Sequence, residues 1–219
     1  MTALVTTAAP GTTLADVLAN LGDIAPGRGR VPPALGSATE QDALEMHAWK
    51  DCLDELVNGV LVEKATGFRE SYFAGALLEA LRAFERPRNL GLVMGSHGMM
   101  RLAPGLVRIP DVAFVSWERL PERRIPTAPM PVLAPDLAIE VLSAGNPPRA
   151  MLRKRQEYFA AGVRLVWFVD PEMRTVTVFT GVHQFTVLDT TQRLNGAPVL
   201  PGFPLALPRL FAELDRHGM

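Results

Sequence analysis

The 219-residue chain has a single cysteine, Cys52, and four histidines. One thiol closes no internal disulfide and builds no cysteine-rich zinc site, so a reducing compartment is expected. An excess of charge of one sign is missing too: 22 Lys and Arg stand against 23 Asp and Glu, a formal charge of -1. That balance argues against tight non-specific nucleic-acid binding by counterion release, and any DNA contact must be local. No apolar run approaches the roughly 20 residues that a membrane-spanning helix needs. Met1 to Gly11 carries no Lys or Arg before its weakly apolar run, unlike the charged start of a secretory signal. It reads as a disordered tail of a soluble, cytoplasmic protein with no membrane partner.

What is present is enough for one well-buried core, with 48% hydrophobic residues. Thr13 can cap a short helix through Leu14, Val17, Leu18 and Leu21 that ends at Gly22. The Pro- and Gly-rich stretch Asp23 to Gly36 reads as a linker, giving a tail with a short helix over 1–30 and one domain over 31–219. Ser37 and Glu40 suggest a capping box opening a helix towards Trp49. Asn58-Gly59 between Glu55-Leu56-Val57 and Val60-Leu61-Val62 predicts a two-residue hairpin. Apolar residues at helical spacing predict a helix over Glu70 to Arg86, stopped by Pro87.

Beyond Leu90 the pattern changes to short runs, Gly91 to Met94, Met99 to Leu102, Val107 to Val115 and Asp136 to Leu142, expected to form the central sheet. Arg119 to Pro135 is a Pro-rich loop. A helix from Arg149 to Ala161 ending at Gly162, then a strand from Arg164 to Val169, makes a βαβ crossover. Thr175 to Thr180 and His183 to Leu188 follow as an antiparallel pair, and the chain after Pro201 reads as peripheral turns.

Side-chain parity along strands picks out the chemistry, because residues two apart share a face. If Val107 to Val115 is one strand, Asp111 shares its face with Val107, Ile109, Ala113 and Val115, and a carboxylate there needs a partner. Glu140 shares its face with Asp136, Ala138 and Leu142, inside a largely apolar run. Lys154 lies three residues after Met151 and four before Tyr158, on a helix face with apolar members. Two carboxylates from neighbouring strands suit a hard cation such as Mg²⁺, and a nearby lysine can orient or deprotonate water, which points to metal-assisted phosphodiester hydrolysis. The bland alternatives are a turn-favouring Asp after Pro110, a helix-surface lysine pairing with Glu157 or Glu172, and a hairpin-flanking Glu55. His97 lacks a second His or Cys at ligand spacing and reads as a loop residue, Ser143 and Asn146 as a turn, and Tyr158 and Trp167 as core.

Pro110-Asp111-Val112, the run Pro135 to Ser143 containing Glu140, Lys154 with Tyr158 and Ala161-Gly162-Val163, and Val166 to Pro171 together resemble the Uma-two family. Glu55-Leu-Val-Asn-Gly59-Val resembles the same family's hairpin, and the likeness runs from about Trp49 to Phe211. The family is one of endonucleases in the restriction-endonuclease-like, PD-(D/E)XK superfamily. The resemblance implies an α/β fold with a mixed central sheet flanked by helices, here with an N-terminal helical extension. It implies that Asp111 and Glu140 are metal ligands, with Val141 beside them in the metal shell, that Mg²⁺ or Mn²⁺ is the cofactor, and that Lys154 is the catalytic lysine. The superfamily's usual lysine position, two after the acid, holds Leu142. Glu55 resembles the auxiliary acid that completes the metal shell or holds a water. DNA is the implied substrate, and a homodimer is expected by analogy with endonucleases that cut two strands. The rival expectation is a non-catalytic interaction or nucleic-acid-binding module retaining the fold.

Overall fold

The structure is a computed structural model and describes residues 12–50, 53–65 and 67–216. The tail expected over residues 1–11 and the sole cysteine lie outside the described residues. Among the described residues no helix is long and apolar enough to cross a membrane.

Asn58 and Gly59 take positive φ of 50° and 69°, the type I′ geometry that the Asn-Gly pair favours. They join β1 (Asp54–Val57) to β2 (Val60–Glu63) with Val57 opposite Val60. The predicted strand over Val107 to Val115 is not continuous. It breaks at Ile109-Pro110-Asp111, where Pro110 has no N–H to give a ladder, into β5 (Leu106–Arg108) and β6 (Val112–Ser116). β5 pairs with β1 and with β4 (Met100–Ala103), completing a four-stranded sheet in the order β2-β1-β5-β4. β4 and β5 therefore stand outside the central sheet in which the sequence pattern placed them. β6 enters that second sheet with β3 (Gly91–Met94), β7 (Leu137–Val141), β8 (Leu165–Asp170), β9 (Thr175–Phe179) and β10 (Phe185–Leu188), in the order β10-β9-β8-β7-β6-β3. Only β7 and β8 run parallel, as their helical crossover requires.

That crossover is α4 (Pro148–Ala160), which Gly162 closes at φ 88° while the Val163 N–H donates to Tyr158 O at 3.0 Å. α3 (Phe68–Glu85) covers the other face of the large sheet. The two faces of β7 separate as parity predicts: Leu137, Ile139 and Val141 pack on the α3 side, Ala138 and Leu142 on the α4 side.

α2 (Glu40–Lys50) starts two residues later than a Ser37 box implies. Thr39 and Asp42 exchange the capping bonds, Thr39 N–H to Asp42 Oδ2 at 2.7 Å and Asp42 N–H to Thr39 Oγ1 at 3.3 Å, while Ser37 Oγ donates to Ala34 O. α1 (Leu14–Asn20) has the expected Thr13 cap, and the stretch after it is not a free linker. Leu21 and Ile24 are buried with Val57, Val60 and Val62, and Arg30 N–H donates to Leu61 O. The chain after Pro201 is not peripheral either. β11 (Arg193–Gly196) and β12 (Leu200–Ala206) form a hairpin followed by α5 (Leu207–Phe211), and Leu200, Phe203, Leu207 and Phe211 are buried against α3. Phe211 stacks on Phe73 at 5.4 Å between ring centroids.

Candidate active site

The break before β6 places Asp111 where a strand residue would stand. Its N–H donates to Ile139 O at 3.0 Å, and its Oδ2 accepts the Val141 N–H at 2.7 Å. The carboxylate thus continues the ladder to β7 and lands beside the next residue's neighbour, Glu140. Asp111 and Glu140 are 7% and 4% exposed, which is tolerable only for carboxylates with polar partners.

Glu140 projects from β7 towards α4. Its Oε1 accepts the Tyr158 hydroxyl at 2.5 Å and lies 3.0 Å from Lys154 Nζ. Tyr158 and Lys154 are one turn apart on the buried face of α4, so one helix supplies both partners. Burial pushes the Glu140 pKa above the usual carboxylate range; Lys154 works against this and the neighbouring Asp111 charge adds to it. Burial and Glu140 likewise drive the Tyr158 pKa well above its ordinary value, so its hydroxyl is a fixed donor.

Lys154 Nζ also lies 3.1 Å from Glu55 Oε1. Burial disfavours the ammonium, but Glu140 and Glu55 outweigh it and raise the Lys154 pKa. Lys154 therefore joins these two acids, and the pairing with Glu157 or Glu172 offered by the bland reading does not form. Glu157 accepts from Arg153 at 2.7 Å and from Arg108, and Glu172 pairs with Arg69. Glu55, on β1, is held at both oxygens: Oε2 takes Arg108 Nη1 at 2.6 Å and Oε1 the Ile109 N–H at 3.0 Å. Burial alone would raise its pKa, yet Lys154 and Arg108 together bring it down to about 2.

One participant escaped the sequence reading. Lys64, directly after β2, places Nζ 2.7 Å from Asp111 Oδ1, with both side chains buried. Its backbone N–H donates to Leu53 O at 2.8 Å, so the hairpin that presents Glu55 also fixes Lys64. The only hint in the sequence is a lysine just past an apolar strand, a placement that charged residues commonly take at strand edges. Asp136, on the Glu140 face by parity, serves the scaffold instead. It accepts Ser116 N–H at 2.7 Å and the Arg119 and Arg164 guanidiniums at 2.7 and 3.0 Å. Ser143 and Asn146 form the expected turn, Ser143 N–H donating to Asn146 Oδ1 at 2.8 Å. Trp167 is core, as Tyr158 is. His97 is exposed in the loop between β3 and β4 and faces an open groove that reaches Asp111.

Three buried acids and two buried ammoniums are thus collected from a hairpin, a strand break, a central strand and a crossover helix. Among the described residues no group of three or more His, Cys, Asp or Glu side chains is arranged to hold a metal ion. What remains for a cation is an oxygen set of two carboxylates and the main chain of Val141. Because a strand residue points its N–H and C=O the same way, the Val141 carbonyl lies on the Asp111 side of β7. That set fits Mg²⁺ or Mn²⁺, which accept few protein oxygens and keep waters, and does not fit a soft metal.

A mixed sheet with a βαβ unit, an acid at the break before one strand and a second acid within the next, places the molecule in the restriction-endonuclease-like class of α/β folds. Residues 44–208 match the Uma2 family, described as "Putative restriction endonuclease", and the chain belongs to that family. Its fold is similar to that of a crystal structure titled as a putative nuclease belonging to DUF820 from Anabaena variabilis ATCC 29413. That similarity has a TM-score of 0.66 and 19% identity, covering 74% of this chain and 90% of the other. No curated protein matches the sequence significantly.

Proposed function

We propose that the chain is a divalent-metal-dependent endonuclease that hydrolyses DNA phosphodiester bonds. The observation that carries this reading is the convergence of buried Asp111, at the break before β6, with buried Glu140 on β7, Asp111 accepting the Val141 N–H and Lys154 Nζ lying 3.0 Å from Glu140. Asp111 and Glu140, with Val141, would hold Mg²⁺ or Mn²⁺. When bound, such an ion polarises a phosphoryl oxygen, eases deprotonation of a water and neutralises charge on the leaving oxygen.

The protein's own groups do the positioning. Lys154 is held as an ammonium between two carboxylates, so it suits the role of a donor that orients the attacking water better than that of a base, which needs a lowered pKa. Glu55 has both oxygens engaged and acts as a positioning residue that holds Lys154 in place. Tyr158 fixes the Glu140 carboxylate from the opposite end of the same helical turn. Arg108 ties Glu55 to Glu157 on α4, coupling the hairpin to the helix that carries Lys154.

The test uses supercoiled plasmid with Mg²⁺ or Mn²⁺ and compares the wild type with Asp111→Asn and Glu140→Gln. Metal-dependent nicking by the wild type alone supports the reading; equal nicking by all three, or none with any metal, sinks it. One observation favours a rival, a non-catalytic module that retains the fold. Each carboxylate already has an ammonium partner, Lys64 for Asp111 and Lys154 for Glu140, so the cluster can stand as a structural network. Calorimetric titration with Mn²⁺ separates the two, since the rival needs no affinity for the ion.

A further inference from the structure

The charges around the site pair off. Lys64 Nζ lies 2.7 Å from Asp111 Oδ1 and Lys154 Nζ 3.0 Å from Glu140, while Arg108 takes Glu55 at 2.6 Å and Arg153 takes Glu157 at 2.7 Å. A divalent cation entering so balanced a cluster gains little attraction unless one of these bases withdraws. Three of them are held more than once. Lys154 also meets Glu55 at 3.1 Å, Arg108 bridges Glu55 and Glu157, and Arg153 donates to Asn20 O as well. Lys64 differs: among the described residues Asp111 is the one ion-pair partner of its Nζ, although the two side chains are only 3% and 9% exposed. An ammonium has three hydrogens to donate, so a buried one with a single partner is the least firmly held of the set.

The two oxygens of Asp111 are fixed unequally. Oδ2 accepts the Val141 N–H at 2.7 Å, a main-chain bond that stays with the sheet, whereas Oδ1 is held by a side chain on a flexible four-carbon stem. The main chain of Lys64 is anchored by its N–H to Leu53 O at 2.8 Å, so only that stem is free to move. We infer that Lys64 is an exchangeable counter-ion of the metal site: its ammonium and a divalent cation compete for Asp111 Oδ1, and the cation's arrival hands the ammonium to a phosphate of the substrate. Resting on the endonuclease reading, this role adds what controls access to its metal. Neighbouring acids offer the released ammonium no opening, since Glu140 keeps Lys154 and Tyr158, and Glu55 keeps Lys154 and Arg108. Beside Asp111 a groove of about 530 Å³ opens between α3 and the β3–β4 loop, and among the described residues Asp111 is the only acid lining it. An anion to receive Lys64 there must come with the substrate, and a nucleic-acid strand brings one at every linkage. The phosphate then stabilises the ammonium away from Asp111, which frees Oδ1 for the cation. By linkage the cation strengthens the hold on the phosphate to the same degree.

The experiment combines calorimetric titration of the full chain with Mn²⁺ and fluorescence anisotropy of a short labelled DNA duplex, phosphorothioate-linked to resist cleavage, with and without saturating Mn²⁺. Lys64→Met is expected to bind Mn²⁺ at least about tenfold more tightly than the wild type, and Asp111→Asn to lose the binding. Mn²⁺ is expected to raise duplex affinity about tenfold in the wild type and no more than about threefold in Lys64→Met. A lysine that only braced the hairpin would give the opposite sign, since its loss would loosen Asp111 and weaken Mn²⁺ binding. Lys64→Gln, which can still donate to Oδ1 without a charge, carries the same expectations where the methionine variant melts below the assay temperature. Mn²⁺ affinity unchanged or weaker in both variants, or an equal Mn²⁺-driven gain in duplex affinity with and without Lys64, overturns the exchange; Asp111-dependent Mn²⁺ binding in that case leaves the endonuclease reading standing. Absence of Mn²⁺ binding in the wild type and in both Lys64 variants removes the metal site itself, and the exchange with it. Mn²⁺ binding that emerges only once Lys64 is replaced supports the competition and counts against a metal-dependent wild type.

Discussion

Replacing Lys154 with methionine removes the one cation that touches both Glu140 and Glu55, and the structure sets the size of the effect. Glu55 keeps Arg108 at 2.6 Å and the Ile109 N–H, so it stays compensated. Glu140 keeps only the Tyr158 hydroxyl among these contacts, and its charge is left buried beside Asp111. Breaking a buried pair on one side costs about 3–5 kcal/mol, and the retained Tyr158 bond puts Lys154→Met near the lower end, about 3 kcal/mol. The cost depends on pH. The Glu140 pKa is already raised in the folded protein, and loss of Lys154 raises it further. A raised acid pKa means that the folded state takes up a proton before the unfolded state does, so the deficit is full above the folded pKa and shrinks as pH falls below it. Adding Glu140→Gln removes the stranded charge while leaving an oxygen for Tyr158, and should recover about 2 kcal/mol of the loss. Urea unfolding of the wild type, both single variants and the double variant at pH 8 and pH 5 measures all of this. Strict additivity of the two substitutions, or a Lys154→Met deficit that is the same at both pH values, would refute the reasoning.

Lys64→Met strands Asp111 in the same way, and we expect a loss of about 3 kcal/mol that millimolar Mn²⁺ partly restores, read as a larger metal-induced rise in Tm than the wild type shows. The Glu55 pKa, held at about 2 against an ordinary 4.5, contributes about 3 kcal/mol of stability above pH 4.5 that is lost as pH falls towards 2. Glu55→Gln should therefore flatten the acid limb of a stability profile from pH 6 to pH 2, and an unchanged limb would contradict that assignment. Phe211→Ala opens a cavity against Phe73 and should cost about 3–5 kcal/mol in equilibrium unfolding; a change under 1 kcal/mol would mean that α5 is peripheral after all.

Much of this architecture is legible in the sequence where the signal is local. Asn58-Gly59 announces its hairpin because only a few residue types accept two positive φ angles, and Glu140 could be assigned a face because β7 is a regular strand. The same parity argument was unsound for Asp111. It assumed a strand running through Pro110, whereas the chain breaks there and β5 and β6 belong to different sheets. Asp111 does face a polar partner, but through a strand break and a main-chain bond that no period reveals. Lys64 was invisible because its contact with Asp111 spans two sheets and rests on the register of the hairpin. The hairpin of β11 and β12 was missed since Gly196, Pro201, Gly202 and Pro204 read as turns, while burial of Leu194, Leu200 and Phe203 depends on α3 being nearby.

A crystal structure of the protein soaked with Mn²⁺ would show whether Asp111 and Glu140 hold a catalytic cation, as proposed. An anomalous peak is expected within bonding reach of both carboxylates and the Val141 carbonyl, with Lys64 Nζ moved off Asp111 and Lys154 still beside Glu140. A site without a peak at saturating Mn²⁺, with Lys64 and Lys154 keeping their present ion pairs, would contradict it.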